Sequence, residues 1–128
     1  MAAKGNILVV DNESDQLMMM KEILRRIGYR AKTAENPHDA LKMIAEEAFS
    51  MVFIDLIMPD IDGTELCEQI KEMRPSVRVY AFSGHTHLYR PDQLERAGFD
   101  GSLNKPATIE EISAFLADAG KNKPKRKR

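Results

Sequence analysis

Carboxylates, an amide, a hydroxyl and an ammonium recur at one kind of place in this sequence. Asp11 and Asn12 follow the run Ile7-Leu8-Val9-Val10, Asp55 follows Met51-Val52-Phe53-Ile54, Ser83 follows Val77 to Phe82, and Lys105 follows Gly101 to Asn104. Carboxylates gathered in one pocket repel each other, so they persist where a cation sits among them, and an all-oxygen donor set favours a hard ion such as Mg²⁺. A carboxylate is also a nucleophile toward phosphorus and forms an aspartyl phosphate. That transfer needs positive charge around the developing equatorial oxygens. The ion and Lys105 supply it, and Ser83 donates a hydrogen bond. Asn12 serves equally as a helix N-cap or turn residue, a role compatible with ligation, whereas Glu13 reads as an exposed first-turn acid favoured by the helix dipole.

The run before Asp11 has the signature of a buried parallel strand, short, apolar and rich in β-branched residues; the run before Asp55 is the most uniformly apolar, Val77 to Phe82 reads as a fourth strand, and Gly101 to Asn104 as a short fifth. Helical patterns separate them. Leu17, Met20, Ile23, Leu24 and Ile27 recur at three- and four-residue steps until Gly28 supplies a stop. Tyr29 to Thr33 reads as a second strand, and Asn36-Pro37 opens a second helix with Ala40, Leu41, Ile44, Ala45 and Ala48 as its apolar stripe. The turn-rich segment Met58-Pro59-Asp60-Ile61-Asp62-Gly63 leads into a helix from about Thr64 to Met73, with Leu66, Ile70 and Met73 on one face and Pro75 marking its end. A weaker helix covers Pro91 to Ala97, closed by Gly98. Thr108 and Glu111 form a capping box for a last helix that buries Ile109, Ile112, Phe115 and Leu116. Five strands alternating with five helices predict an α/β fold, a doubly wound five-stranded parallel sheet with helices on both faces. In such a sheet the functional crevice lies outside the carboxyl ends of the strands, where the polar groups fall.

Composition bounds the reading. The 128 residues are 43% apolar and 30% charged, which suits one domain and excludes a second full one. A single cysteine, Cys67, rules out an internal disulfide and is compatible with a reducing, cytoplasmic compartment; it reads as a small, partly buried residue. No apolar run approaches the roughly 18 residues of a membrane span. The formal net charge of −1 conceals an asymmetry: before residue 121, 13 Lys and Arg stand against all 20 acidic residues, a formal −7, while residues 121–128 carry six basic residues and no acid. Residues 1–120 therefore form the domain, and 121–128 a basic tail of disordered composition, with at most weak nonspecific affinity for nucleic acid.

The sequence resembles the response-regulator receiver domains of two-component signalling, which have the flavodoxin-like, CheY-like fold. The resemblance rests on Ile7-Leu8-Val9-Val10-Asp11-Asn12-Glu13, on Phe53-Ile54-Asp55-Leu56-Ile57-Met58-Pro59-Asp60-Ile61-Asp62-Gly63, on Ser83-Gly84, and on Ala97-Gly98-Phe99-Asp100-Gly101 with Lys105-Pro106. It spans about Asn6 to Ala119. It implies that Asp55 accepts a phosphoryl group from a sensor histidine kinase, a phosphotransfer protein or a small phosphodonor, and that Asp11, Asn12, Asp55 and the Ile57 backbone carbonyl hold Mg²⁺. By the same resemblance Ser83 contacts the phosphoryl group and moves with its loop. Lys105 binds a phosphoryl oxygen, and a cis bond before Pro106 helps aim it. Such a protein signals to a downstream protein by altered contact, on the face of the fourth helix, fifth strand and fifth helix. A second copy of the chain stands among its candidate partners. Its catalysis is confined to its own phosphoryl transfer and dephosphorylation, so it is not an enzyme acting on other substrates.

Two positions depart from the family pattern. Asn12 stands where a second acid is usual, so weaker Mg²⁺ binding is expected. Ser102 stands where an aromatic residue often reports phosphorylation, which directs coupling through the Ser83 loop. These departures also define an alternative, a degenerate receiver acting as a phosphorylation-independent docking module. A phosphohydrolase would need a second acid after Asp55, where the chain has Ile57. Ile57 and His85 lie two positions past Asp55 and Ser83, and this bulky pair predicts restricted hydrolysis. His85 and His87 lack the further Cys or His that a zinc site needs. Met18, Met19 and Met20 read as part core and part surface.

Overall fold

A computed structural model of the protein describes residues 5–119. Strands β1 (Asn6–Val10), β2 (Arg30–Ala34), β3 (Met51–Ile54), β4 (Arg78–Ser83) and β5 (Gly101–Asn104) alternate with helices α1 (Ser14–Ile27), α2 (Pro37–Glu46), α3 (Gly63–Met73), α4 (Pro91–Ala97) and α5 (Ile109–Ala119). The strands form one parallel sheet in the order β2-β1-β3-β4-β5. The order reverses between β1 and β3, which brings the carboxyl ends of those two strands side by side, in register from Ile7 with Met51 to Val10 with Ile54.

Because side chains alternate across a strand, each strand feeds two cores. Leu8, Val10, Val52, Ile54, Val79 and Ala81 pack beneath α2, α3 and α4 with Ile44, Leu66, Ile70 and Leu94. Ile7, Val9, Phe53, Tyr80 and Phe82 pack beneath α1 and α5 with Leu17, Met20, Leu24, Ile112 and Leu116. In this second core Phe53, Tyr80 and Phe115 stack at centroid distances of 5.0 to 6.1 Å. β1 and β3 are covered on both faces, which is why their sequences are continuous apolar runs.

The helix boundaries follow their local chemistry. Asn36 caps α2 by accepting from the Asp39 N–H at 2.8 Å. The capping box of α5 is present, Thr108 N–H on Glu111 at 2.8 Å and Glu111 N–H on Thr108 Oγ1 at 3.1 Å. Gly28 and Gly98 close α1 and α4 at φ of 113° and 108°, the left-handed region that favours glycine.

Several sequence expectations are corrected in detail. β2 and β4 each start and end one residue later than expected. α2 ends at Glu46, which leaves Ala48 outside it, and Ala45 is exposed, so only Ala40 and Ile44 of the expected stripe are fully buried. Met73, in the last position of α3, is 40% exposed. Cys67 is fully rather than partly buried, because α3 turns it into the core beneath α4. A 3₁₀ turn at Thr86–Leu88 gave no periodic signal. The basic segment 121–128 lies outside the described residues.

Candidate functional site

The carboxyl ends of β1, β3, β4 and β5 bring Asp11, Asp55, Ser83 and Lys105 to one edge. Asp11 is held in line with the sheet by its N–H on the Ala34 carbonyl at 3.1 Å, and Asp55 by its N–H on Val10 at 3.0 Å. The Asp11 carboxylate turns back to accept from the Glu13 N–H at 3.0 Å. Lys105 is held by its own N–H on the Ser83 carbonyl at 3.0 Å, and its peptide bond to Pro106 is cis. Its ammonium lies 2.5 Å from Asp11 Oδ2, 4.0 Å from Asp55 Oδ2 and 5.3 Å from the centroid of the Phe82 ring. Ser83 is fully buried, and its hydroxyl oxygen accepts from the His85 N–H at 3.1 Å.

The charges here do not balance. Two carboxylates, each less than a tenth exposed, share one ammonium, and that ammonium sits against Asp11. Asp55 Oδ1 is buried without a hydrogen-bond partner. A buried anionic oxygen left unpaired is costly, and a cation would relieve it. The donor set fits a hard divalent ion: two carboxylates, the amide of Asn12 exposed beside Asp11, and the backbone carbonyl of Ile57 two residues past Asp55. Among the described residues no three His, Cys, Asp or Glu gather in a way that could hold a metal ion, so the amide and the carbonyl have to complete any such set.

The loop after Asp55 is tightly built. Leu56 and Met58 are buried while Ile57 is 44% exposed at the rim. Ile57 and Asp62 pair as an isolated antiparallel bridge, and the Gly63 N–H donates to the Leu56 carbonyl at 2.9 Å. Asp62 then caps α3, its Oδ1 accepting from the Thr64 N–H and hydroxyl, both at 2.8 Å. A Cβ on Gly63 would stand 2.7 Å from the Asp55 carbonyl oxygen and 2.8 Å from Leu56 Cα. The Asp-Gly pair of the sequence is thus a cap followed by the only residue that lets α3 start against the backbone of Asp55.

Sequence reasoning missed three side-chain links. The Tyr89 hydroxyl donates to Asp62 Oδ2 at 2.9 Å, and burial together with the Asp62 carboxylate pushes this phenol up to about 12. The Thr86 hydroxyl donates to the side-chain oxygen of Asn104 on β5. Lys71 of α3 is buried against Asp100 at 2.8 Å. Each joins residues at least 18 positions apart by contacts of single polar side chains, a pattern that carries no periodicity.

The other residues singled out in the sequence fall as follows. Glu13 is exposed and, rather than Asn12, occupies the N-cap of α1. Ser102 is exposed on β5. The rings of His85 and His87 are tilted with centroids 6.5 Å apart. Met20 is in the core, while Met18 and Met19 are 70% and 55% exposed. No helix among the described residues is long and apolar enough to cross a membrane.

Comparison with known proteins agrees with this geometry. Residues 7–117 match the response regulator receiver domain family. The chain is 29% identical over 114 residues to the transcriptional regulatory protein ZraR of Klebsiella oxytoca, covering 89% of this chain and 26% of that protein, so it spans about a quarter of that relative's length. A CheY-like response regulator receiver domain protein from Methanospirillum hungatei superimposes with a TM-score of 0.82 at 25% identity, covering 93% of this chain and 94% of that one. The response regulator TrrA of Thermotoga maritima, solved in complex with Mg²⁺ and BeF, gives 0.80 at 30% identity, covering 88% and 96%.

Proposed function

The chain belongs to the response regulator receiver domain family, and from that premise we propose that it is a phosphorylation switch whose acceptor is Asp55. The observation that carries this reading is the unpartnered, buried Asp55 Oδ1, set beside Asp11 and within 4.0 Å of Lys105 at the carboxyl edge of the sheet. No hydrogen bond competes for the lone pairs of that oxygen, which suits it to act as a nucleophile toward phosphorus. The P–N bond of a partner's phosphohistidine breaks as the P–O bond to Asp55 forms, and the imidazole leaves. Asp11, Asn12, Asp55 and the Ile57 carbonyl would hold Mg²⁺, which supplies positive charge to the phosphoryl oxygens. Lys105, swinging from Asp11, pairs with a phosphoryl oxygen. Ser83, whose oxygen accepts from the His85 N–H, donates its own proton to another. Ile57 and His85 flank the opening and slow the entry of water, so Ile57→Asn and His85→Ala speed dephosphorylation.

The donor is a sensor histidine kinase or a phosphotransfer protein, the output is contact with a downstream protein, and both meetings take place in the cytoplasm. No substrate other than its own acyl phosphate is turned over. Asn12 and Ser102 favour a second reading, a docking module that no longer takes phosphate. Intact-mass spectrometry with Mg²⁺ and a small phosphodonor separates the two. The switch reading expects one phosphoryl group on the native chain with metal, and none on Asp55→Asn or without metal; no addition at high Mg²⁺ gives precedence to the docking module.

A further inference from the structure

Residues 84–90 join Ser83 to α4, and two side-chain hydrogen bonds tie this segment to other elements. Thr86 donates to Asn104, which is the register partner of Ser83 on β5, and Tyr89 donates to Asp62. The second tie reaches the opposite bank of the site. Asp62 bridges to Ile57, so the loop leaving Asp55 and the loop leaving Ser83 are latched together by one phenol. Tyr89 is half-buried against the core beneath α4, and the charge of Asp55 is among those that raise its phenol.

For Ser83 to serve a phosphoryl group, its hydroxyl, which now accepts from the His85 N–H, has to turn its proton toward the site, and a shift of Ser83 in that direction is passed through this hydrogen bond to the residues that follow. They end at Tyr89, directly before the N-cap of α4. That helix is only seven residues long, and only Leu94 and Ala97 in it are buried. A short helix with two anchors is drawn from the low-stability end of a fold. β5 offers no ring on this side of the sheet: Ser102 is a small exposed residue, and Leu103 points into the other core.

We propose that Tyr89 is the positioning residue of the switch: its hydrogen bond to Asp62 holds the resting state, and its release when Asp55 is phosphorylated frees α4 to present a different face. The inference rests on the phosphoacceptor reading above. It makes the signal leave through the α3 and α4 side, and it assigns to a loop tyrosine the reporting role that β5 lacks. Losing one hydrogen bond from the resting state moves a two-state equilibrium by roughly five-fold.

The test uses the full chain labelled with fluorotyrosine, whose three tyrosines give three fluorine resonances, that of Tyr89 being the one lost in Tyr89→Phe. Beryllofluoride with Mg²⁺ stands in for the phosphoryl group. The expected result is that the Tyr89 resonance shifts while that of Tyr29, on the far side of the sheet, does not. In Tyr89→Phe without beryllofluoride, the amide resonances of 92–97 should already be displaced toward their activated positions, and phosphorylation by a small donor should be about five-fold faster. A merely structural tyrosine would leave that rate unchanged or lower it. The proposal is overturned if amides around Asp55 and Ser83 respond to beryllofluoride while Tyr89 stays fixed, or if Tyr89→Phe keeps both the native spectrum and the native rate. If those amides do not respond and no phosphoryl group is incorporated, the phosphoacceptor reading has failed and takes this one with it.

Discussion

Lysine meets buried carboxylate at both ends of the sheet, on opposite plans. At the amino edge, Lys71 and Asp100 have side chains 5% and 4% exposed and 2.8 Å apart. Lys71 also donates to the Val77 carbonyl at 2.7 Å, and the same Asp100 oxygen accepts from the Val79 N–H at 2.9 Å. The pair ties α3 to the starts of β4 and β5, and Gly98 packs over it, where a Cβ would lie 3.1 Å from Lys71 Cγ. At the carboxyl edge Lys105 faces two carboxylates, and one oxygen of Asp55 has no partner. A closed pair fixes geometry, because removing either member strands a buried charge. An open cluster is poised to accept a cation and a reacting group. Buried ion pairs in one small domain therefore divide by charge balance, not by burial, into structural and chemical ones.

The largest effect expected from breaking this contrast is on the closed pair. Lys71→Met leaves Asp100 buried and uncompensated and should cost about 3–5 kcal/mol in chemical denaturation, with phosphoryl incorporation by the folded fraction unchanged. Lys105→Met should reverse that pattern, with a smaller loss of stability and a severe loss of incorporation. A next, smaller effect sharpens the open site. Asn12→Asp restores a second acid beside Asp11 and should tighten Mg²⁺ binding by about tenfold in calorimetric titration, equivalent to roughly 1.4 kcal/mol of added attraction.

Smaller again is the effect on Asp55 itself. Asp55→Asn removes one of two like charges that share an ammonium, and should stabilise the fold by about 1 kcal/mol while abolishing phosphorylation. Asp100→Asn should destabilise it. The smallest effect is on the latch. The Tyr89 phenol is raised from its ordinary 10.0 to about 12 by burial and Asp62. A group whose proton is held more tightly in the folded state contributes stability that is full below pH 10 and fades as the pH rises toward 12. Burial also raises the Tyr80 phenol, so ultraviolet titration should show delayed tyrosine ionisation, and Tyr89→Phe should remove the part of it near 12 while leaving that of Tyr80.

Much of this was legible beforehand, and for a reason. β1 and β3 are covered on both faces, so they are written as unbroken apolar runs, and the residue after each run has to fall at the sheet's carboxyl edge. Asp11 and Asp55 are legible that way and Ser83 nearly so, after the apolar β4, whereas Lys105 follows the polar run Gly101 to Asn104 and stands out only in the company of the other three. Caps were legible too: Asn36, and Thr108 with Glu111, act within three residues of themselves. What escaped depends on single long-range contacts. The Lys71 and Asp100 pair spans 29 positions, and the Tyr89 and Asp62 pair spans 27. Lys71 sits on a helix where a lysine ordinarily reads as solvated, and it is buried by long-range contacts, with Gly98 against its stem and Val77 and Asp100 on its ammonium. Two carboxylates against one lysine can be counted in the sequence, but which of them Lys105 reaches, and so which oxygen is left unpartnered, cannot.

The division between the two edges is tested most directly by following the amide spectrum as substoichiometric Mn²⁺ is added, a paramagnetic stand-in for Mg²⁺ that broadens whatever lies near it. The account predicts that residues 11–13, 55–58, 83–84 and 105 broaden first and together, that those around Lys71, Val77 and Asp100 stay sharp, and that Asp55→Asn weakens the effect. Broadening that begins elsewhere on the molecule, or none at all, would contradict it.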